Sequence, residues 1–175
     1  FSGHIRIGKI DQGDGYELPP MSMDTVFLDM DGGKLSADVE MDGIRHIQPF
    51  NYKACILKTK DEVHAAVIKG VNKDFDLSII QPYLKDSSRF INFSPEKSSR
   101  EIVISQSIAD KLDLKIGETV ISYFIQQPVR FRKLTVVGIY ETGLAAEFDD
   151  VFILGDLGMT QELYNWNKRQ VGGYE

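Results

Sequence analysis

The chain has 175 residues, 42% of them hydrophobic and 26% charged, enough for one ordinary domain or two small lobes with a real core. A net charge of −6 leaves no global basic field to recruit nucleic acid or anionic lipid. Its one cysteine, Cys55, excludes an intramolecular disulfide, and no run approaches the roughly 18 consecutive apolar residues of a membrane helix.

In chain order, HIRIGKI alternates Ile5 and Ile7 with Arg6 and predicts a half-buried strand. DQGDGYELPP, with Asp14-Gly15 and Pro19-Pro20, predicts a loop. Leu35 and Val39 in KLSADVEMDG have helical spacing and predict a short helix stopped at Asp42-Gly43. YKACILKTK and EVHAAVIKGV are β-rich runs joined at Lys60-Asp61, which predicts a hairpin; FDLSIIQPYL predicts a short helical piece ending near Pro82. The Ser-rich, charged stretch 86–100 is the best internal boundary. EIVISQSIADKLDLKIGETV then predicts strand, helix, turn and strand, with a capping box at Ser107 and Asp110. TVISYFIQQPVRFRKLTVVGIYE predicts two long strands meeting near Gln127-Pro128, DDVFIL another strand and LGMTQELYNWN a closing helix. The pairs 52–60 with 62–71, 119–126 with 129–140, and 129–140 with 151–154 are separated by short connections, which predicts antiparallel pairing throughout. The expected class is α+β in two lobes meeting near residue 98. Both ends read as cut: Phe1-Ser2-Gly3 has no initiator Met or signal pattern, and VGGYE opens like a strand, so a longer parent chain is expected.

One stretch spells chemistry. VFLDMDGGKL, residues 26–35, has the Asp-x-Asp-Gly of haloacid-dehalogenase-like, Mg²⁺-dependent phosphatases, with Asp29 as nucleophile and Asp31 as acid/base. Ser105, Lys111, Lys115 and Asp156 imitate the remaining site residues. Against this enzyme, the apolar run before Asp29 is only Val26, Phe27 and Leu28, and Gly33 stands where the motif carries Thr. Residues 119–154 also read as consecutive strands without the helices a doubly wound sheet needs. The favoured reading of the stretch is a loop leading to a helix, with Asp29 and Asp156 too far apart to share a metal.

Other chemistry is weaker. Asp29, Asp31 and Glu40 occupy positions 1, 3 and 12 of a calcium loop, but Gly33 and Lys34 spoil positions 5 and 6. Gly33-Lys34 is no P-loop, because Phe27 stands where the first glycine belongs. His4, His46 and His64 lack paired spacing, Cys55 lies in an apolar run, and Glu147, Asp149 and Asp150 read as a solvated acidic turn. No catalytic residue, cofactor or metal is expected.

From residue 34 onward four phrases in order resemble one family: MDGIRHIQPF, VIKGVNKDFD, EIVISQSIADKLDLKIGETV and LTVVGIYETGLAAEFDDVFI. Together they resemble the extracytoplasmic domain of MacB/FtsX-type ABC transporter permeases, nearest the lipoprotein-releasing LolC/LolE subgroup. The resemblance implies a βαβ-rich Porter-like lobe, incomplete here, over 1–98 and a mostly antiparallel Sabre-like lobe with short helices over 99–170. Residues 171–175 would then start the strand returning to the first lobe. It also implies a non-enzymatic domain on the periplasmic face of the bacterial inner membrane, held by its own transmembrane helices and coupled to a cytoplasmic ABC ATPase. A second permease copy and a periplasmic partner protein are further implied partners. The turn from Gln126 to Arg132 stands where LolC carries its carrier-recruiting hairpin, but it is tight and lacks the longer insert, so no carrier-binding residue is transferred. By their own chemistry, Phe124, Pro128, Arg130, Phe131 and Arg132 combine aromatics with positive charge at a strand turn and are the candidate partner contact; alternate core and solvent faces of an ordinary hairpin are the other reading.

Overall fold

In the computed structural model, which describes residues 6–8, 19–23, 27–28, 34–35, 46–143 and 149–175, four two-residue strands come first. They are β1 (Ile7–Gly8), β2 (Met21–Ser22), β3 (Phe27–Leu28) and β4 (Lys34–Leu35). The long elements follow: β5 (Pro49–Lys58), β6 (Val63–Val71), β7 (Glu101–Ser105), α1 (Gln106–Leu112), β8 (Thr119–Phe124), β9 (Arg130–Tyr140), β10 (Phe152–Asp156) and α2 (Leu157–Tyr164). Two 3₁₀ turns at Leu77–Ile79 and Gln81–Tyr83 occupy the expected helical piece, and β11 (Gln170–Val171) and β12 (Gly173–Tyr174) end the chain.

The sheet runs β1-β12-β5-β6-β10-β7-β9-β8, and β8 pairs back onto β5 through Ile56↔Tyr123, Leu57↔Ser122 and Lys58↔Ile121. The strands from β5 round to β8 therefore close into a barrel. Closure satisfies the edges that an open sheet would leave exposed. Strand alternation fills the inside: Cys55 and Leu57 from β5, Ala66 and Ile68 from β6, Ile102 and Ile104 from β7, Val120 and Phe124 from β8, Leu134 and Val136 from β9, and Ile153 from β10 are all buried in one cluster.

Each open end is stoppered by a helix that follows directly from a strand. β7 and β10 are antiparallel neighbours, so the helices that follow them, α1 and α2, lie at opposite ends. α1 contributes Ile108, Ala109 and Leu112 to the core, and α2 contributes Met159 and Leu163. The two units share one local grammar: Ser105 and Asp156 cap the helix N-termini through their side chains, and Asp113 and Asn165 close the C-termini in the left-handed conformation. At Gly70 a Cβ would come within 2.4 Å of Thr160 Oγ1 and 3.2 Å of Leu157 Cα, so glycine is what lets α2 approach the wall; at Gly155 it would meet Ile68 Cγ2 of the neighbouring strand at 2.7 Å. Outside the barrel, Phe75, Ile80, Ile91, Val103, Val137, Tyr140 and Leu154 form a second core under the strap between β6 and β7.

Four expectations change. The pairing of 129–140 with 151–154 does not occur: β10 is inserted between β6 and β7, parallel to the first and antiparallel to the second. Its Ile153 and Leu154 are buried in different cores, which only a strand covered on both faces can satisfy. β7 and β9 are likewise parallel, with β8 returning between them in sequence. The division near residue 98 does not divide this sheet, because β5 and β6 hydrogen-bond to β8 and β10. Lys34–Leu35 is a strand antiparallel to Phe27–Leu28, since ladder bonds outweigh the weak helical spacing of two apolar residues; the rest of that expected helix lies outside the described residues. Finally, α1 starts two residues earlier than the proposed box: Ser105 Oγ accepts from Ile108 N at 3.1 Å, while Ser107 bonds to Asp150.

Candidate interaction surface

The β8–β9 hairpin positions the candidate residues by its register. Tyr123 faces Phe131 and Phe124 faces Arg130 across the ladder, so alternate residues point into the barrel or out of it. Inside go Val120, Ser122 and Phe124, all buried. Outward go Ile121 and Phe131, with the Tyr123 and Phe131 rings 6.3 Å apart. The connecting turn adds Ile125 and Val129, and exposures of 77% for Ile125, 66% for Val129 and 64% for Phe131 make this an apolar tip held in water. A clustered apolar surface of that kind is a typical mark of a contact site.

Of the five residues singled out from the sequence, Phe131 and Pro128 lie on this exposed tip. Phe124 does not: it is fully buried, on the inward phase of β8 with Val120 and Ser122, and cannot touch a partner. Arg130 is committed to the protein itself. Its Nη1 donates to Glu162 O at 2.9 Å and Leu163 O at 3.3 Å, and its Nη2 to Asn165 Oδ1 at 2.7 Å, closing the C-terminus of α2. Arg132 donates to Phe131 O at 2.9 Å; burial, with Arg100 and Arg130 close by, pulls its pKa below the ordinary value. Sequence reasoning missed Ile121, Ile125 and Val129. The available signal was two β-branched apolar residues inside a Gln-Gln-Pro turn, where solvent-facing residues are expected to be polar.

The other end of the barrel carries an open groove of about 620 Å³ between the β5–β6 turn and the end of α1. Asp61, Glu62, Asp113 and Glu118 line it, with Lys60 beside them.

The residues considered for catalysis have structural work or lie elsewhere. Asp29, Asp31, Glu40, His4 and Glu147 are outside the described residues, as is the Asp29–Asp156 separation. Asp156 is buried with both oxygens occupied: Oδ1 accepts from Gly158 N at 2.6 Å and Oδ2 from Ser99 N at 2.7 Å. Lys111 pairs with Asp150 at 2.9 Å, and Asp149 Oδ1 accepts from Thr142 at 2.8 Å. His46 and His64 each meet a backbone carbonyl, of Asp74 and Asp150 respectively. Burial pushes the Cys55 thiol up to about 12, too high for a nucleophile at neutral pH. Among the described residues no group of three or more His, Cys, Asp or Glu side chains is arranged to hold a metal. Nor is any helix among them long and apolar enough to cross a membrane.

Comparison with known proteins places these features in a family. Residues 2–172 match the MacB-like periplasmic core domain. Among solved structures, the periplasmic region of MacB from Actinobacillus actinomycetemcomitans superposes with a TM-score of 0.55 at 16% identity, over 77% of this chain and 58% of that one. The extracellular domain of the ABC-type transporter YknZ from Gram-positive bacteria gives a TM-score of 0.50, also at 16% identity, over 77% of this chain and 65% of that one. The chain thus spans about three fifths of the solved domains it matches. No curated protein sequence matches it. With the family match running over nearly its whole length and the fold shared with two such domains, the chain belongs to the MacB-like periplasmic core domain family, whose domains are extracytoplasmic.

Proposed function

We propose that this chain is the extracytoplasmic domain of an ABC transporter permease. It is held at the membrane by the parent protein's own transmembrane helices, and it passes motion driven by a cytoplasmic ATPase to a substrate or partner outside the membrane. The carrying observation is the family match over residues 2–172. The closed barrel suits a mechanical role, because a ring of six strands, stoppered at both ends by helices, moves as a rigid piece rather than deforming. A periplasmic partner would dock on the hairpin tip, where Ile125, Val129 and Phe131 offer apolar area that burial would stabilise. Lipidated proteins are the finer substrate class, supported by the likeness to the LolC/LolE phrases and suited to an apolar contact. The phosphatase reading gains no support: the sheet is a closed barrel rather than doubly wound, and Asp156 is consumed as a helix cap.

The test uses the intact transporter. Ile125→Ser combined with Phe131→Ser is expected to reduce transport while leaving the thermal midpoint of the domain unchanged. Full transport by the double variant would remove the tip from the mechanism. Translating the complete gene tests the permease itself: one apolar helix before Phe1 and further helices after Glu175 are expected, and a soluble reading frame would overturn it.

A further inference from the structure

We propose that the α2 end of the barrel holds a binding site for a phosphate group, formed by the guanidinium groups of Arg100 and Arg132 beside Glu162. Topology brings them together. β7 and β9 are parallel and both begin at this end, so Arg100, just before β7, and Arg132, early in β9, stand side by side over α2; Thr135 N donates to Arg100 O at 2.9 Å at that crossing. Arg130 and Arg132 share the inward phase of β9 with Leu134, which turns both toward the helix.

The charge there is not balanced. Among the described residues, three guanidinium groups, Arg100, Arg130 and Arg132, gather around one carboxylate, Glu162, on a chain whose net charge is −6. Glu162 is already divided: Oε2 accepts from Arg100 Nη2 at 3.1 Å and Oε1 from Ser98 Oγ at 2.5 Å. Arg130 spends its donors on the helix end and Asn165, offsetting the negative end of the α2 dipole. Arg100 Nη1 and Arg132 Nε remain, both shielded from water and both without an acceptor among the described residues. Donors of that kind are rarely left unmatched. Helix capping does not explain them, since the carbonyls at the end of α2 are taken by Arg130.

The missing acceptor should carry several oxygens and about two negative charges. A phosphate group has both: it is close to dianionic at neutral pH and its oxygens match the planar guanidinium fork. Arg100 is about one-third exposed and Glu162 nearly half, so a ligand reaches the site from solvent. The phosphate could be free or carried by a lipid headgroup, and one experiment separates the sources.

Binding of inorganic phosphate to the protein would be followed by calorimetry at constant ionic strength, and binding of phosphatidic acid vesicles, against phosphatidylcholine vesicles, by sedimentation. Saturable binding that Arg132→Gln or Arg100→Gln weakens by about tenfold or more is expected, as for loss of a hydrogen bond to a charged group. Lys133→Gln, on the outward phase, should leave it unchanged. Binding of free phosphate identifies a free-ion site, and Arg132-dependent binding of the vesicles alone identifies a headgroup site. Absence of both, or equal weakening by Lys133→Gln, overturns the proposal. Near-ultraviolet circular dichroism of each variant checks the fold, and the conservative Arg132→Lys, which keeps the charge but not the fork, should retain only part of the affinity.

Discussion

The two ends of the barrel are built from the same local plan and finished with opposite chemistry. At one end β7 runs into α1, capped by Ser105 and closed by Asp113; at the other β10 runs into α2, capped by Asp156 and closed by Asn165. Beside α1 an open groove is lined by four carboxylates, Asp61, Glu62, Asp113 and Glu118, against one cation, Lys60. Around α2, among the described residues, three arginines meet one glutamate, and the apolar hairpin tip projects beside them. The stoppers make the fold; the residues around them decide what each end can touch. One architecture thus carries two chemically unlike ends.

The α2 side also carries the more demanding packing, which gives the largest expected effect. Lys69 forms an ion pair with Glu175, both side chains nearly out of water, with Gln48 donating to the same Glu175 oxygen at 3.0 Å. Burial pulls the Lys69 pKa down, opposed by the Glu175 carboxylate. Lys69→Ala leaves a buried carboxylate without its partner and should cost about 3–5 kcal/mol in chemical denaturation. Lys69→Met with Glu175→Leu should recover most of that. A double variant as unstable as the single one would mean the pair is needed for more than charge balance.

The capping residues give a sharper comparison. Asp156 accepts from two backbone N–H groups, while the Ser105 hydroxyl accepts from one and donates to Asp149 O, so Asp156→Ala should cost about 2 kcal/mol, the charged acceptor being the stronger, and Ser105→Ala about 1–2 kcal/mol. Equal losses would mean that the two strand–helix units are energetically alike despite their surroundings.

Titration separates interior from surface. Glu101 has its pKa lowered from 4.5, first by the hydrogen bonds from Arg89, which reach it at 2.5 and 2.8 Å. A depressed folded-state value means stability present above pH 4.5 and lost as pH falls toward the folded pKa. Glu101→Gln should therefore flatten the stability curve in acid. Cys55 behaves in the opposite range: with a thiol raised from 9.0 to about 12, the native state keeps a proton that the unfolded chain releases, so stability falls as pH rises above 9. Labelling of Cys55 by a thiol reagent at pH 8 should be slow in the native protein and fast in denaturant. Rapid native labelling would show that the barrel opens.

The smallest effect on stability belongs to the tip. Ile125→Ser and Phe131→Ser remove side chains already in water and should shift stability by no more than about 0.5 kcal/mol. A larger loss would show that the tip packs against something in the native protein.

What the sequence by itself determined was local. The β5–β6 and β8–β9 hairpins, the two strand–helix units and the 3₁₀ turns near Pro82 were legible because periodicity, short connections and helix signals act over a few residues. The family was legible too, because four such phrases kept their order along the chain. Tertiary structure alone decided that β8 returns to β5, that β10 slides between β6 and β7, and that residue 98 is no boundary in the sheet. It decided which of the hairpin residues face water, burying Phe124 and turning Arg130 onto a helix end while leaving Ile125 and Val129 outside. Those outcomes rest on partners dozens of residues apart, and a pattern with a period of two shows that a strand has two faces without showing which one the rest of the chain will cover.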